Sequence, residues 1–309
     1  MDAIRCQGVC KDYRVGFWRR RVRILHDLEL TVRAGETFGY LGPNGAGKTT
    51  TIKILLGLLH PTAGCAWLCG RDASRPEARA AAGYLPETPT FYDYLTGEEF
   101  LAFMARLAGL ARSVAREQIP ALLDRVGLSG AGSRQLRKYS KGMLQRIGMA
   151  QALLGNPALV ILDEPMSGLD PIGRKEIRDI MVSLRKEGRT VFFSSHIIPD
   201  VEMLCDRVGI LLGGRLARVG RLDELLGTEI DSVEVTLAGL PPEAAATDGA
   251  LAPPLVQGDR VQLRLRAEAE VDALLRRTLA AGGRILSVVP HRRTLEEIFL
   301  AEVAERGRR

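Results

Sequence analysis

An α/β fold with a parallel, helix-flanked sheet is predicted for about the first 230 of the 309 residues, with a small α+β appendage over 231–309. Three observations predict it. Phe38-Gly39-Tyr40-Leu41, Leu159-Val160-Ile161-Leu162 and Val191-Phe192-Phe193-Ser194 are short apolar runs bounded by turn residues, as in strands covered on both faces. Helical periodicity lies between them, as in Glu98 to Leu110, where Leu101, Met104, Leu107 and Ala108 share a face. A glycine-rich loop joins the first run to an apolar helix over Thr50 to Leu59.

The rest of the chain follows in order. Ala238 to Leu255 is rich in Ala, Pro and Gly without periodicity and reads as a flexible connection. Arg260 to Leu265 alternates like a half-buried strand, Val271 to Leu279 is helical, Ile285 to Val289 extended and Thr294 to Val303 helical. There is no internal repeat. A hydrophobic share of 46% with 26% charged residues excludes a disordered chain. The apolar run Ile54 to Leu59 falls far short of the ~20 residues of a membrane span. The start, Met1-Asp2-Ala3-Ile4-Arg5, does not resemble a secretory signal, so a cytoplasmic location is expected. A net charge of +6 is too mild to announce nucleic acid. The five cysteines contain no C-x-x-C pair and are expected to be reduced, mostly buried thiols.

Gly42-Pro43-Asn44-Gly45-Ala46-Gly47-Lys48-Thr49 matches G-x-x-x-x-G-K-[ST] between a strand and a helix, the context this phosphate-binding pattern needs. Glycines permit the tight curve that aims backbone N–H groups at an anion, and the helix behind adds its positive dipole end. Lys48 is expected to reach the β and γ phosphates of a nucleotide, and Thr49 to hold Mg²⁺. Asn44, Gly45, Ala46, Gly47 and Thr50 complete the cradle. Val160-Ile161-Leu162-Asp163-Glu164 is a strand ending in two carboxylates, and alternation sends them in different directions. Asp163 is expected in the Mg²⁺ shell, and Glu164 is expected to take a proton from the water attacking the γ phosphate. Ser140 caps a helix running to Leu154, which together form an anion site.

These motifs resemble those of the ATP-binding-cassette ATPases, over nearly all of residues 1–230. The discriminating segment is Tyr139-Ser140-Lys141-Gly142-Met143-Leu144-Gln145-Arg146, similar to that family's signature and 23 positions before Asp163 at its serine. The resemblance implies a cassette with a RecA-like parallel core and a helical subdomain over about 88–155. It implies that Ser140 and Gly142 serve the γ phosphate bound by the opposite subunit, so that ATP joins a head-to-tail dimer. Ser167-Gly168-Leu169-Asp170 resembles the D-loop at the dimer interface, which brings Asp170 to the nucleotide. His196 looks like the switch histidine on the γ phosphate, and Tyr13 like the aromatic residue on which adenine stacks.

Three positions depart from the commonest family pattern. Glu87 stands where a Gln contacts Mg²⁺ and the attacking water, which brings negative charge near the γ phosphate. Lys141 replaces a Gly and Met143 a Gln. These departures, with the stretch Tyr84 to Glu99, resemble ATPase subunits of the ABC type-two exporter class. The resemblance therefore implies a subunit that binds ATP and Mg²⁺, forms a homodimer or pairs with a second such subunit, and drives a separate integral membrane permease. Its place would be the cytoplasmic face of the membrane, held through that permease, without direct contact to nucleic acid. The alternative is a soluble ATPase of the same family acting on nucleic acid or ribosomes, although those carry tandem or coiled-coil-split cassettes. Arg14 to Arg23, with Phe17 and Trp18, reads as a patch for lipid headgroups or an acidic partner, or as a solvated loop between strands. Tyr92, Tyr94 and Phe100 either line a groove for a helix of the membrane subunit or belong to the core.

Overall fold

Asp2–Val15 (β1) and Arg20–Arg33 (β2) pair antiparallel in the computed structural model, which describes residues 1–17, 20–227, 230–239, 250–266, 268–292 and 294–307. Strand β3 (Thr37–Leu41) leaves for a second sheet, whereas β4 (Ala63–Leu68) returns to β1 and carries the short β5 (Arg71–Asp72). The result is a four-stranded sheet in the order β2-β1-β4-β5, which the sequence reading did not anticipate. It also corrects the view of Arg14 to Arg23 as a loop. Arg14 pairs with Arg21 and Val15 with Arg20, so most of the segment is the end of a hairpin. Trp18 and Arg19 lie outside the described residues.

The second sheet is the expected parallel one. Strands β6 (Ala82–Leu85), β7 (Leu159–Leu162), β8 (Thr190–Ser195) and β9 (Arg207–Leu212) join β3 in the order β9-β3-β8-β7-β6, and β10 (Arg215–Arg221) pairs antiparallel on β9. Strands β3, β7 and β8 are buried along their whole length. Leu41 pairs with Ser195 and Leu85 with Leu162, so several strands end at one edge, where ligands of open α/β sheets bind.

Helix α1 (Lys48–Leu55) is held by both sheets. Its Ile52, Ile54 and Leu55 share one cluster with Ile4, Leu28 and Leu30 of the antiparallel sheet and with Phe38, Tyr40, Ile161 and Phe192 of the parallel one. Phe38 stacks on Phe192 at 5.8 Å between ring centroids, and the Tyr40 and Thr51 hydroxyls lie 3.2 Å apart. Burial pushes the Tyr40 phenol far above its ordinary range. Short α2 (Pro76–Arg79) precedes β6.

Three helices, α3 (Gly97–Leu107), α4 (Arg112–Arg125) and α5 (Lys141–Ala152), separate β6 from β7 and pack on one another. Helix α3 opens with a full capping box between Thr96 and Glu99. Its buried residues are Gly97, Phe100, Leu101 and Ala105, while Leu107 is exposed, so the apolar face is turned from the one expected. At Gly83 in β6, helix α5 lies close against the sheet: a Cβ there would collide with the Ala152 carbonyl oxygen. Helices α6 (Pro171–Lys186) and α7 (Ile198–Leu204) follow β7 and β8.

The chain divides into two units, Met1–Leu222 and Asp223–Arg309, between the first two residues of α8 (Leu222–Leu226) rather than near 230. In the second unit, β11 (Ile230–Ala238), β12 (Leu255–Gln257), β13 (Arg260–Leu265) and β14 (Arg284–Arg292) form an antiparallel sheet in the order β12-β13-β11-β14. Val271 and Leu274 of α9 (Glu268–Ala280) pack on Val233, Val235, Leu237, Val261, Leu263 and Leu265. Helix α10 (Leu295–Gly307) ends the described chain. The expected connection at Ala238 to Leu255 falls largely outside the described residues. All five cysteines are free, but only Cys6 and Cys205 are buried and Cys65 is exposed, so the thiols are less buried than expected.

Candidate functional site

The loop before α1 follows from its glycines. Gly45 and Gly47 hold φ angles of 78° and 109°, and a Cβ on Gly47 would press to 2.8 Å from the Leu25 side chain. Gly47 is also the N-cap of α1, with no side-chain hydrogen bond, so the first-turn amides of Lys48, Thr49 and Thr50 have no partner within the helix. These amides, at the positive end of a helix dipole, suit a phosphate.

A cavity of about 670 Å³ opens on this loop. Pro43, Asn44, Gly45, Gly47, Lys48, Thr49 and Thr50 line one side, with Glu87 and Glu164; Tyr13, Arg14, Val15, Gly16 and Ile24 of the β1–β2 hairpin line another. Thus Tyr13, Glu87, Glu164 and most of the phosphate loop line one cavity. Ala46 does not join them: its side chain is 3% exposed and its N–H donates to the Pro43 carbonyl at 3.2 Å. Lys11 covers the Tyr13 ring with its ammonium 5.5 Å from the centroid.

Lys48 is nearly buried. Its ammonium donates to the carbonyls of Gly42 at 2.6 Å and Pro43 at 3.2 Å, and lies 3.0 Å from Glu164 Oε1 in ion-pair contact without hydrogen-bond alignment. The other Glu164 oxygen, Oε2, lies 2.8 Å from His196 Nδ1. Strand β7 ends at Leu162, so strand alternation does not reach the two carboxylates. Their divergence comes instead from Glu164, whose φ of 47° is left-handed for a residue with a side chain. Such a conformation costs about 1–3 kcal/mol and persists where the surroundings hold it.

The holding group is Ser194, which sequence reasoning passed over. Its fully buried hydroxyl donates to Asp163 Oδ1 at 2.7 Å and accepts from the Glu164 backbone N–H at 2.9 Å. Gln145 was also missed: it is 5% exposed and donates to the Pro165 carbonyl at 2.9 Å, tying α5 to the turn after the carboxylates. Burial holds the Asp163 carboxyl above its ordinary range, with the Glu164 charge adding to it, against hydrogen bonds from Ser194 and Thr49 and the Lys48 charge.

Asp163 Oδ2 is buried and has no hydrogen-bond partner. An orphaned carboxylate oxygen beside the Thr49 hydroxyl, with Glu87 on the cavity wall, is an oxygen donor set that fits Mg²⁺. Among the described residues no three His, Cys, Asp or Glu side chains gather as a metal cage.

Ser140, Gly142 and Asp170 do not line this cavity. Ser140 is exposed and caps α5, accepting from the Met143 N–H at 3.3 Å; Asp170 caps α6, accepting from the Gly173 N–H at 2.9 Å. A Cβ on Gly142 would meet open space. Phe100 is 1% exposed and belongs to the core against Phe91, whereas Tyr92 and Tyr94 are 48% and 61% exposed. At the hairpin, Asp12 pairs with Arg21 at 3.2 Å and Arg23 at 2.7 Å, while Phe17 is 93% exposed.

Comparison with known proteins agrees with this geometry. The family profile described as ABC transporter matches residues 25–167. An ABC transporter ATP-binding protein of Synechocystis is 44% identical over 302 residues, covering 97% of this chain and 84% of the relative. A Nod factor export ATP-binding protein of Cupriavidus pinatubonensis is 38% identical over 216 residues, 69% of this chain and 66% of that one. A solved structure of an ATP-binding subunit of an ABC transporter superposes with a TM-score of 0.64 at 34% identity, over 72% of this chain and 91% of its own. With its phosphate loop, paired carboxylates and parallel core, this chain belongs to the ABC transporter ATP-binding proteins, and it is an ATPase.

Proposed function

We propose that the chain is the nucleotide-binding subunit of an exporter, in which two copies close around two Mg-ATP and drive a separate membrane permease from the cytoplasmic face. The observation that carries this reading is the contact of Lys48 with Glu164, which in turn touches His196, over the phosphate loop. Export, rather than transport in general, is supported by the relative whose name specifies it. No helix among the described residues is long and apolar enough to cross a membrane, and the proposed permease is a separate chain.

In the proposed mechanism the base stacks on Tyr13, and the triphosphate lies along Asn44 to Thr50, bound by the first-turn amides of α1. Its charge draws Lys48 away from Glu164. The exchange leaves Glu164 with His196 and frees Oε1 to accept a proton from the attacking water. Thr49, Asp163 and Glu87 would hold Mg²⁺, which would supply positive charge against the phosphates. Glu87 accepts hydrogen bonds only, so it orients water through the water's own protons. Ser140, Gly142 and Asp170 act on the nucleotide of the partner, which accounts for their distance from the cavity of their own chain. Closure follows from the greater affinity of the nucleotide for the joined state.

Glu164→Gln tests this reading. The variant should bind ATP, lose turnover and run as a dimer with ATP in size-exclusion chromatography with light scattering; a persistent monomer overturns the two-copy arrangement. Retention of the chain on nucleic acid, lost with salt, in place of sedimentation with membranes holding a permease would favour the ribosome or nucleic-acid alternative.

A further inference from the structure

We propose that the end of the β1–β2 hairpin docks in the headgroup layer of an anionic bilayer, on its own and without a permease. Strand β4 pairs with β1 only between Ile4 and Cys10, whereas β1 and β2 run on together to the pair of Val15 with Arg20. The chain there is a two-stranded ribbon, and its residues 14–17 and 20–23 are all exposed. Such a ribbon is marginally stable by itself in water.

The pairing register assigns its side chains to faces. Asp12, Arg14, Arg21 and Arg23 share one face, and Tyr13, Val15, Arg20 and Val22 the other. Arg14 stands directly opposite Arg21, a like-charge pair that weakens the ribbon unless an anion lies against it. Asp12 is the only acid from residue 12 to residue 23, and Arg21 and Arg23 already engage it. Among the described residues Arg14 and Arg20 have no side-chain hydrogen bond or ion-pair partner. Guanidinium groups thus flank the ribbon on both faces, while the exposed side chains of Val15 and Phe17 stand at its end. An acidic protein surface would meet one face and leave the cations of the other in water. A headgroup layer surrounds an entering tip, so its phosphates reach the arginines of both faces while Phe17 lies at the acyl boundary. Residues 14–23 hold no lysine, and the planar fork of arginine takes two phosphate oxygens at once.

This contact goes beyond the proposed function, in which the chain is held at the membrane through a permease. Phe17, Arg20 and Arg21 do not line the phosphate cavity, and vesicle binding needs neither nucleotide nor permease. The proposal therefore stands or falls apart from the reading of that cavity.

Sedimentation of the full purified chain with vesicles tests it. The chain should bind vesicles of equal parts phosphatidylglycerol and phosphatidylcholine, should ignore phosphatidylcholine alone, and should release as salt rises. R20E/R21E should bind at least roughly tenfold more weakly, from about fivefold for each charge lost. Phe17→Ser should weaken binding at every salt concentration, because burial of an apolar ring is not screened. R112E/R116E, a charge-matched change on α4, should bind as the wild type does, and ATP binding by the hairpin variants should be unchanged. Should R20E/R21E fail to fold, R20Q serves in its place with a loss of about fivefold. The proposal is overturned if the wild type does not bind phosphatidylglycerol at low salt, if R20E/R21E binds equally, or if R112E/R116E loses as much. It is overturned too if polyglutamate binds the wild type through Arg20 and Arg21 more tightly than the vesicles do, which would make an acidic protein the occupant.

Discussion

Replacing Ser194 with Ala is expected to damage the site more than any conservative change at the phosphate loop, because one hydroxyl serves both carboxylate residues. Ser194 is fully buried, and the substitution removes a 2.7 Å bond to Asp163 Oδ1 and a 2.9 Å bond from the Glu164 amide. Each buried group left unpaired costs about 1–3 kcal/mol, so the pair costs about 2–6 kcal/mol. In a unit of 222 residues, each kcal/mol moves the melting temperature by about 2–4 °C, and a fall of roughly 4–24 °C is expected by scanning calorimetry. Asp163 is already held above its ordinary range by burial, and loss of a donor raises it further. ATP turnover should therefore fall and require more Mg²⁺, whereas Ser194→Thr, which keeps the hydroxyl, should recover much of both. A melting shift corresponding to less than about 0.5 kcal/mol, the level of an ordinary surface change, would refute the bridging role.

Three further outcomes are expected. Lys48→Ala should lose ATP affinity by roughly tenfold to a hundredfold, the worth of a charge-assisted contact to phosphate, and near-normal binding by equilibrium dialysis would remove the phosphate-loop assignment. Gly83→Ala should destabilise the first unit by about 1–3 kcal/mol in urea unfolding, because its Cβ collides with the Ala152 carbonyl oxygen and only a shift of α5 relieves it. The third concerns pH. Burial raises the Glu187 carboxyl, but hydrogen bonds and charge from Arg125 and Arg189 outweigh it and hold the group below its ordinary range. The unfolded chain then binds the proton more tightly, so this contribution is present above about pH 4.5 and is lost as pH falls through the depressed native value. Arg125→Ala should flatten the fall in stability below that pH, and an unchanged acid limb would show that the link from α4 to α6 contributes nothing.

The phosphate loop is legible in the sequence because its constraints are local: glycine spacing, a strand before it and a helix after it lie within about twenty residues. The antiparallel sheet was not legible. Strand β1 carries register shifts between Cys6 and Val9, Val9 and Lys11, and Lys11 and Asp12, each of which breaks the two-residue alternation that marks a half-buried strand. In α3 apolar residues occupy two faces. Packing against α4 and α5 chose Phe100, Leu101 and Ala105 over Leu107, a choice made by partners distant in sequence.

The two carboxylates show how a correct expectation can rest on the wrong cause. Alternation along a strand was to separate Asp163 from Glu164, yet the strand stops one residue before them. A left-handed turn at Glu164 does the separating, and a serine thirty residues away, indistinguishable in sequence from any other, supplies the hydrogen bond at that turn. The strain has a consequence for function. A relaxed residue 164 would carry its carboxylate away from Lys48 and His196, so the left-handed backbone at Glu164, held by the Ser194 hydroxyl, is what would keep the proposed base on the phosphate cavity. Glu164→Gly would relieve that angle and remove the base together. Ser194→Ala keeps the base and removes only its support, and so reads the support directly.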